Sequence, residues 1–164
     1  MLEHAILRAA QVFCEKTRAW VVELDPTLTI DGINEYDIDL PRDTELVRIE
    51  SAKLNGEDFA VWKPGRGCGR YVFSPDARSL RFSRPMGADQ SLVLTCSLKP
   101  AETATGIDDI VFARYVRDIA LGAAADIASD PIKSARFNSR CDDIVYQLWK
   151  GNAAITQRTS ANFF

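Results

Sequence analysis

The chain has a single histidine, His4, and four cysteines, Cys14, Cys68, Cys96 and Cys141, none of which forms a C-x-x-C pair. A zinc site needs three or four thiolate, imidazole or carboxylate ligands, usually in closely spaced pairs. That spacing is missing, and we expect neither a metal nor a cofactor. GxGxxG and GxxxxGK[ST] are also missing; Gly65-Arg66-Gly67-Cys68-Gly69 shares only its glycines with a phosphate-binding loop. No apolar run approaches the length of a membrane span, and MLEHAILRAAQVF carries Glu3 where a signal peptide would carry positive charge. We therefore expect a soluble chain with no membrane partner, made in the cytoplasm. Its scattered thiols then serve, reduced, mostly as small apolar side chains.

What is present belongs to an ordinary folded protein. With 164 residues, 46% of them hydrophobic and 26% charged, the chain has enough apolar content for one domain with a real core. Its net charge of −3 conceals a partition. Residues 23–58 carry 11 Asp or Glu against 3 Lys or Arg, a net of −8, whereas residues 59–100 carry 2 against 7, a net of +5. Charge runs often mean only solvated strand faces. The sharper reading is head-to-tail complementarity between copies, with Asp37, Asp39 and Glu45 of one meeting Arg78, Arg81 and Arg84 of the next.

The longest segment with an unambiguous period is 107–128, IDDIVFARYVRDIALGAAADIA. It opens on Asp108 and Asp109, where a helix dipole favours negative charge, and stops near Asp130-Pro131. Ile107, Ile110, Val111, Val116, Ile119, Ala120, Ala123 and Ile127 cover most of its circumference, so we expect a central helix covered on several sides. Gly122 with Ala123, Ala124 and Ala125 would let another backbone come close. Before it, 2–18 reads as an amphipathic helix with the stripe Leu2, Ile6, Ala9 and Phe13. After it, 134–150 carries Phe137, Cys141, Ile144, Val145 and Leu148 on one stripe and should lie antiparallel to the central helix.

Between these helices, residues 20–100 read as six to eight short strands. WVVEL and TLTI flank Asp25-Pro26; Tyr36, Ile38 and Leu40 alternate with acids; ELVRIESAKL runs into the hairpin signal Asn55-Gly56. A glycine-rich loop surrounds Cys68, and Leu92, Leu94, Cys96 and Leu98 alternate with polar residues up to Pro100. The fold class that follows is α+β: a helical subdomain, made of the N-terminal helix and a C-terminal helical hairpin, with an inserted antiparallel β-rich region. Residues 1–151 form this domain and 152–164 an extended tail.

Reactive groups are few. Cys68, between Arg66 and Arg70, is the best nucleophile candidate, since cations lower a thiol pKa, but no base is identifiable beside it. Asp108-Asp109 and Asp142-Asp143 are adjacent pairs, which point in different directions on a helix and make no carboxylate dyad. We expect no catalytic residue. Arg70, Arg78, Arg81 and Arg84 interleave with Tyr71, Phe73 and Phe82, as in a nucleic-acid binder, yet the acidic total argues for strands with an arginine-bearing outer face.

Several segments, in order, resemble one protein family. They are Phe13-Cys14-x-x-Thr17-x-x-Trp20, Tyr36-x-Ile38-x-Leu40-Pro41, Leu54-Asn55-Gly56, Leu80-Arg81-Phe82 with Pro85 after it, and Leu98-Lys99-Pro100. Together they are similar to the head-to-tail adaptor (connector) proteins of tailed bacteriophages, akin to the tail tubular protein A group. The resemblance implies a virion protein of the neck, assembled as a ring, commonly of twelve copies, between the portal and a tail or nozzle protein. It also implies a channel through which DNA passes without sequence-specific contact. A C-terminal extension would dock into the portal, here through Ile155, Arg158, Phe163 and Phe164. The chain departs from the pattern around Cys68 and at Phe163-Phe164. Two alternatives stand beside it: a stand-alone β-rich ligand-binding module or small thiol enzyme, and another neck or tail-completion protein of the same virion.

Overall fold

The computed structural model describes residues 2–65 and 69–150 and gives the expected α+β architecture. Its elements run α1 (Leu2–Thr17), β1 (Val21–Glu23), β2 (Thr27–Leu28), β3 (Glu35–Asp37), β4 (Thr44–Leu54), β5 (Glu57–Phe59), β6 (Val72–Phe73), β7 (Ser79–Phe82), β8 (Ser91–Pro100), α2 (Asp109–Ala128) and α3 (Pro131–Val145). Two compact units result. One joins Met1–Ala19 to the chain from Glu102 onward, and the other is Trp20–Ala101. The helical unit is thus assembled from both ends of the sequence, with the β unit inserted between them.

In the helical unit α2 packs against both α1 and α3. It begins at Asp109 because the Asp108 carboxylate accepts hydrogen bonds from the backbone N–H groups of Ile110 (3.0 Å) and Val111 (3.3 Å). It ends where Ser129 turns left-handed at φ 49°. One residue later Asp130 caps α3 by accepting from Ile132 N (2.9 Å) and Lys133 N (3.2 Å), with Pro131 as the first helical residue. Pro131 therefore stops one helix and opens the next, and α3 starts three residues before the expected 134.

Burial corrects three sequence expectations. On α1 the core face is Ala5, Ala9, Ala10, Phe13, Cys14 and Thr17, whereas Leu2 is exposed and Ile6 only half-buried. Small residues dominate because two helices lie against that face. Gly122 admits a ring rather than a backbone: a Cβ there would lie 2.8 Å from Phe137 Cε2. On α3, Phe137, Cys141 and Ile144 are buried but Val145 and Leu148 are half-buried, because the chain leaves the α-helix at Val145 for a π turn, Tyr146–Lys150. That turn brings Trp149 back to α1, where its Nε1–H donates to Thr17 O (2.9 Å) and its ring lies 4.4 Å from the Arg18 guanidinium carbon.

The β unit is built on the long antiparallel pair β4 and β8, in a sheet of order β1-β8-β4-β5 with β2 also on β8. Leu92, Leu94, Cys96 and Leu98 of β8 all lie in the core, as their alternation requires. Asn55 (φ 52°) and Gly56 (φ 85°) make the expected tight β4–β5 hairpin. A second sheet has the order β3-β7-β6. Here β3 is shorter than the alternation suggested: only Glu35–Asp37 is laddered, and Ile38 and Leu40 pack half-buried from the following loop.

Candidate functional site

The six charged residues expected at contacts between copies all fall in the β unit. β3 and β7 are antiparallel with Glu35 opposite Arg81, and Arg81 Nη2 lies 2.7 Å from Glu35 Oε2. Glu45 and Lys99 are opposite each other on β4 and β8, at 3.4 Å. So Arg81 and Glu45 already hold partners within the chain, and the acidic and basic segments partly neutralise each other across their own ladders. Asp37, Asp39, Arg78 and Arg84 are exposed, and no ion pair among the described residues uses them. Arg78 sits in a turn fixed by Asp76, whose carboxylate accepts from Ser79 N (2.7 Å), Ser79 Oγ (2.9 Å) and Arg78 N (3.0 Å). Those bonds, the one from Ser79 N foremost, hold the Asp76 carboxyl below its usual range.

Three of the four thiols are buried among the described residues. Burial pushes the Cys14 and Cys96 thiols up to about 12 and Cys141 up to about 11, which keeps all three protonated at neutral pH. Cys68 and its neighbour Arg66 lie outside the described residues, as do Ile155, Arg158, Phe163 and Phe164. Among the described residues no cluster of His, Cys, Asp or Glu is arranged to hold a metal ion, and no helix is long and apolar enough to cross a membrane.

The helical unit supplies two surfaces that the sequence reading missed. The first is a groove of about 820 Å³ between the start of α1, the 102–107 connection and the start of α2. Ile6, Leu7, Ile107 and Phe112 give it apolar walls; Glu3, Glu102 and Asp109 give it acidic edges; His4 also lines it. The second is the outward face of α2. Ile110 is 73% exposed, Ile127 59% and Val116 37%, and Ala113 and Ala120 are exposed between them. Ala113, Val116, Ala120 and Ile127 are spaced by 3, 4 and 7 residues, a seam-like repeat. In the sequence that repeat is interleaved with the apolar residues that face α1 and α3. The expectation that α2 is covered on several sides is corrected accordingly: among the described residues α1 and α3 cover one side, and the opposite side is exposed.

No protein-family model matches this chain, and neither does any curated protein.

Proposed function

We propose that this chain is a structural protein of a tailed-phage virion, a head-to-tail adaptor of the neck whose copies close into a ring between the portal and a tail or nozzle protein. Genomic DNA would pass through the ring, and residues 152–164 would dock into the portal. The observation that carries the reading is the open face of α2, where Ile110, Val116 and Ile127 stand exposed on a helix whose partners among the described residues, α1 and α3, lie on one side. A helix of that kind belongs to a protein that works assembled. The α+β architecture, with a helical body and an inserted antiparallel β unit, is the one the family resemblance implies.

The test is the native mass of the chain over a range of concentrations, alone and with purified portal. A discrete ring-sized species in either condition is expected. A chain that stays monomeric in both would overturn the proposal.

A further inference from the structure

Resting on the reading that copies associate, we infer that neighbours join through their β units, the loop 28–33 of one copy seating in a pocket beside β4 of the next. The loop is an aliphatic knob. Leu28, Ile30 and Ile33 are all exposed, and Leu28 and Ile30 share a side because they alternate with Thr29, which is buried. The knob is also held in one shape. At its base Thr29 Oγ1 donates to Gly87 O (2.6 Å) and accepts from Gln90 N (3.0 Å). At its tip the Tyr36 hydroxyl accepts from Ile30 N (2.9 Å) and donates to Ile33 O (3.2 Å), and Ile33 N donates to Ile30 O (3.1 Å) across a turn with Gly32 at φ 75°. An apolar loop ordered in advance loses little freedom when it binds.

The pocket has a volume of about 280 Å³, room for aliphatic side chains. Val47, Val61, Trp62 and Phe73 supply apolar walls, and Arg48 is the charged residue among the described ones that line it. Knob and pocket are separate surfaces. Leu92 of β8 pairs with Thr27 of β2 on one side and Leu54 of β4 on the other, and Arg81 of β7 lies between Glu35 of β3 and Phe73 of β6. The knob joins β2 to β3, whereas β4 and β6 line the pocket, so each sheet has a strand between them. Leu46 and Ile49 are moreover opposite Leu98 and Cys96, four to six residues along β8 from Leu92, or about 14–20 Å. A patch that meets a different patch on an identical neighbour makes a head-to-tail contact.

Charge selects the occupant. Asp31 sits at the tip of the knob and Arg48 on the pocket; both are exposed, and no ion pair among the described residues uses either. The groove of the helical unit, edged by Glu3, Glu102 and Asp109, would repel Asp31 instead.

Charge exchange with rescue tests the assignment, under whichever condition assembles the wild-type chain. Asp31→Lys is one variant, Arg48→Glu the second, and both changes in one chain the third. A fourth, Ile30→Ser with Ile33→Ser, empties the knob but keeps the Tyr36 bonds, which go to backbone atoms. Because all these positions are exposed, circular dichroism and melting should match wild type. The first two variants should need on the order of tenfold higher concentration to assemble, the third should recover most of that loss, and the fourth should lose as much or more. If the first, second or fourth assembles as wild type does, or if the third does not recover, the knob does not seat in this pocket. Either result overturns the assignment while the ring stands. A wild-type chain that never assembles would instead remove the association on which the assignment rests.

Discussion

A Cβ placed on Gly122 would come within 2.8 Å of Phe137 Cε2 and 3.1 Å of Cζ, closer than carbon atoms approach without movement. Two effects oppose each other in Gly122→Ala. Alanine gains about 1 kcal/mol in helix propensity, but overpacking a buried ring costs about 1–3 kcal/mol. Phe137 is only 6% exposed and is held between helices, so the clash should win. Net destabilisation is expected in chemical denaturation, and Phe137→Leu in the same chain should shrink it; a stabilised Gly122→Ala would show that the ring moves freely. Two capping carboxylates set a pH dependence. Asp76 and Asp130 both titrate below their ordinary 3.8, because backbone N–H groups, of Ser79 in one case and Lys133 in the other, bond the charged form. A depressed folded-state pKa gives stability that is present above the unfolded value and lost as pH falls through the folded one. Melting temperature should therefore drop as acid is added below 3.8, and more shallowly in Asp76→Asn with Asp130→Asn, where the amide oxygens still accept but carry no charge. Equal slopes would mean that these turns are not what acid breaks.

Among the elements, those signalled by contiguous residues were legible: α1, α2, the Asn55-Gly56 hairpin and β8 all follow from period or turn chemistry. What was not legible depends on partners distant in sequence. Glu35 facing Arg81 is a matter of register between strands that are 46 residues apart, so the segment charges suggested contacts between copies before contacts within one. The start of α3 is ambiguous in the sequence because Asp130-Pro131 both stops the preceding helix and supplies a cap followed by a first helical residue. The π turn has no signal in the period of Ile144, Val145 and Leu148; it is fixed by where Trp149 finds its acceptor. In Trp149→Phe the apolar contact is largely kept while the hydrogen bond to Thr17 O is lost, which should cost about 1 kcal/mol. Hydrogen exchange should show faster opening of the last turn of α3 and the end of α1 together. Faster exchange confined to residues after Val145 would mean that the tie does not reach α1.

At the scale of the molecule, the division into a helical unit and an inserted β unit followed from the sequence, because the period changes from helical to alternating near Trp20 and back after Ala101. The exposed side of α2 did not follow, since it is decided by how α1 and α3 pack on it. For the docking role, removal of residues 152–164 should abolish portal binding and leave melting within about 0.5 kcal/mol of wild type. Intact binding would assign docking to another surface. The division also has a consequence for synthesis on the ribosome. Phe13 waits for Tyr115, whose ring lies tilted against it at 5.0 Å, and Thr17 waits for Trp149, so α1 is made first and finds its partners only later. Trp20–Ala101, whose strands ladder with one another, can close while α1 is still a lone amphipathic segment. In the nascent chain the first helix would wait for α2 before it could settle, with its core face open to chaperones while the β unit is made.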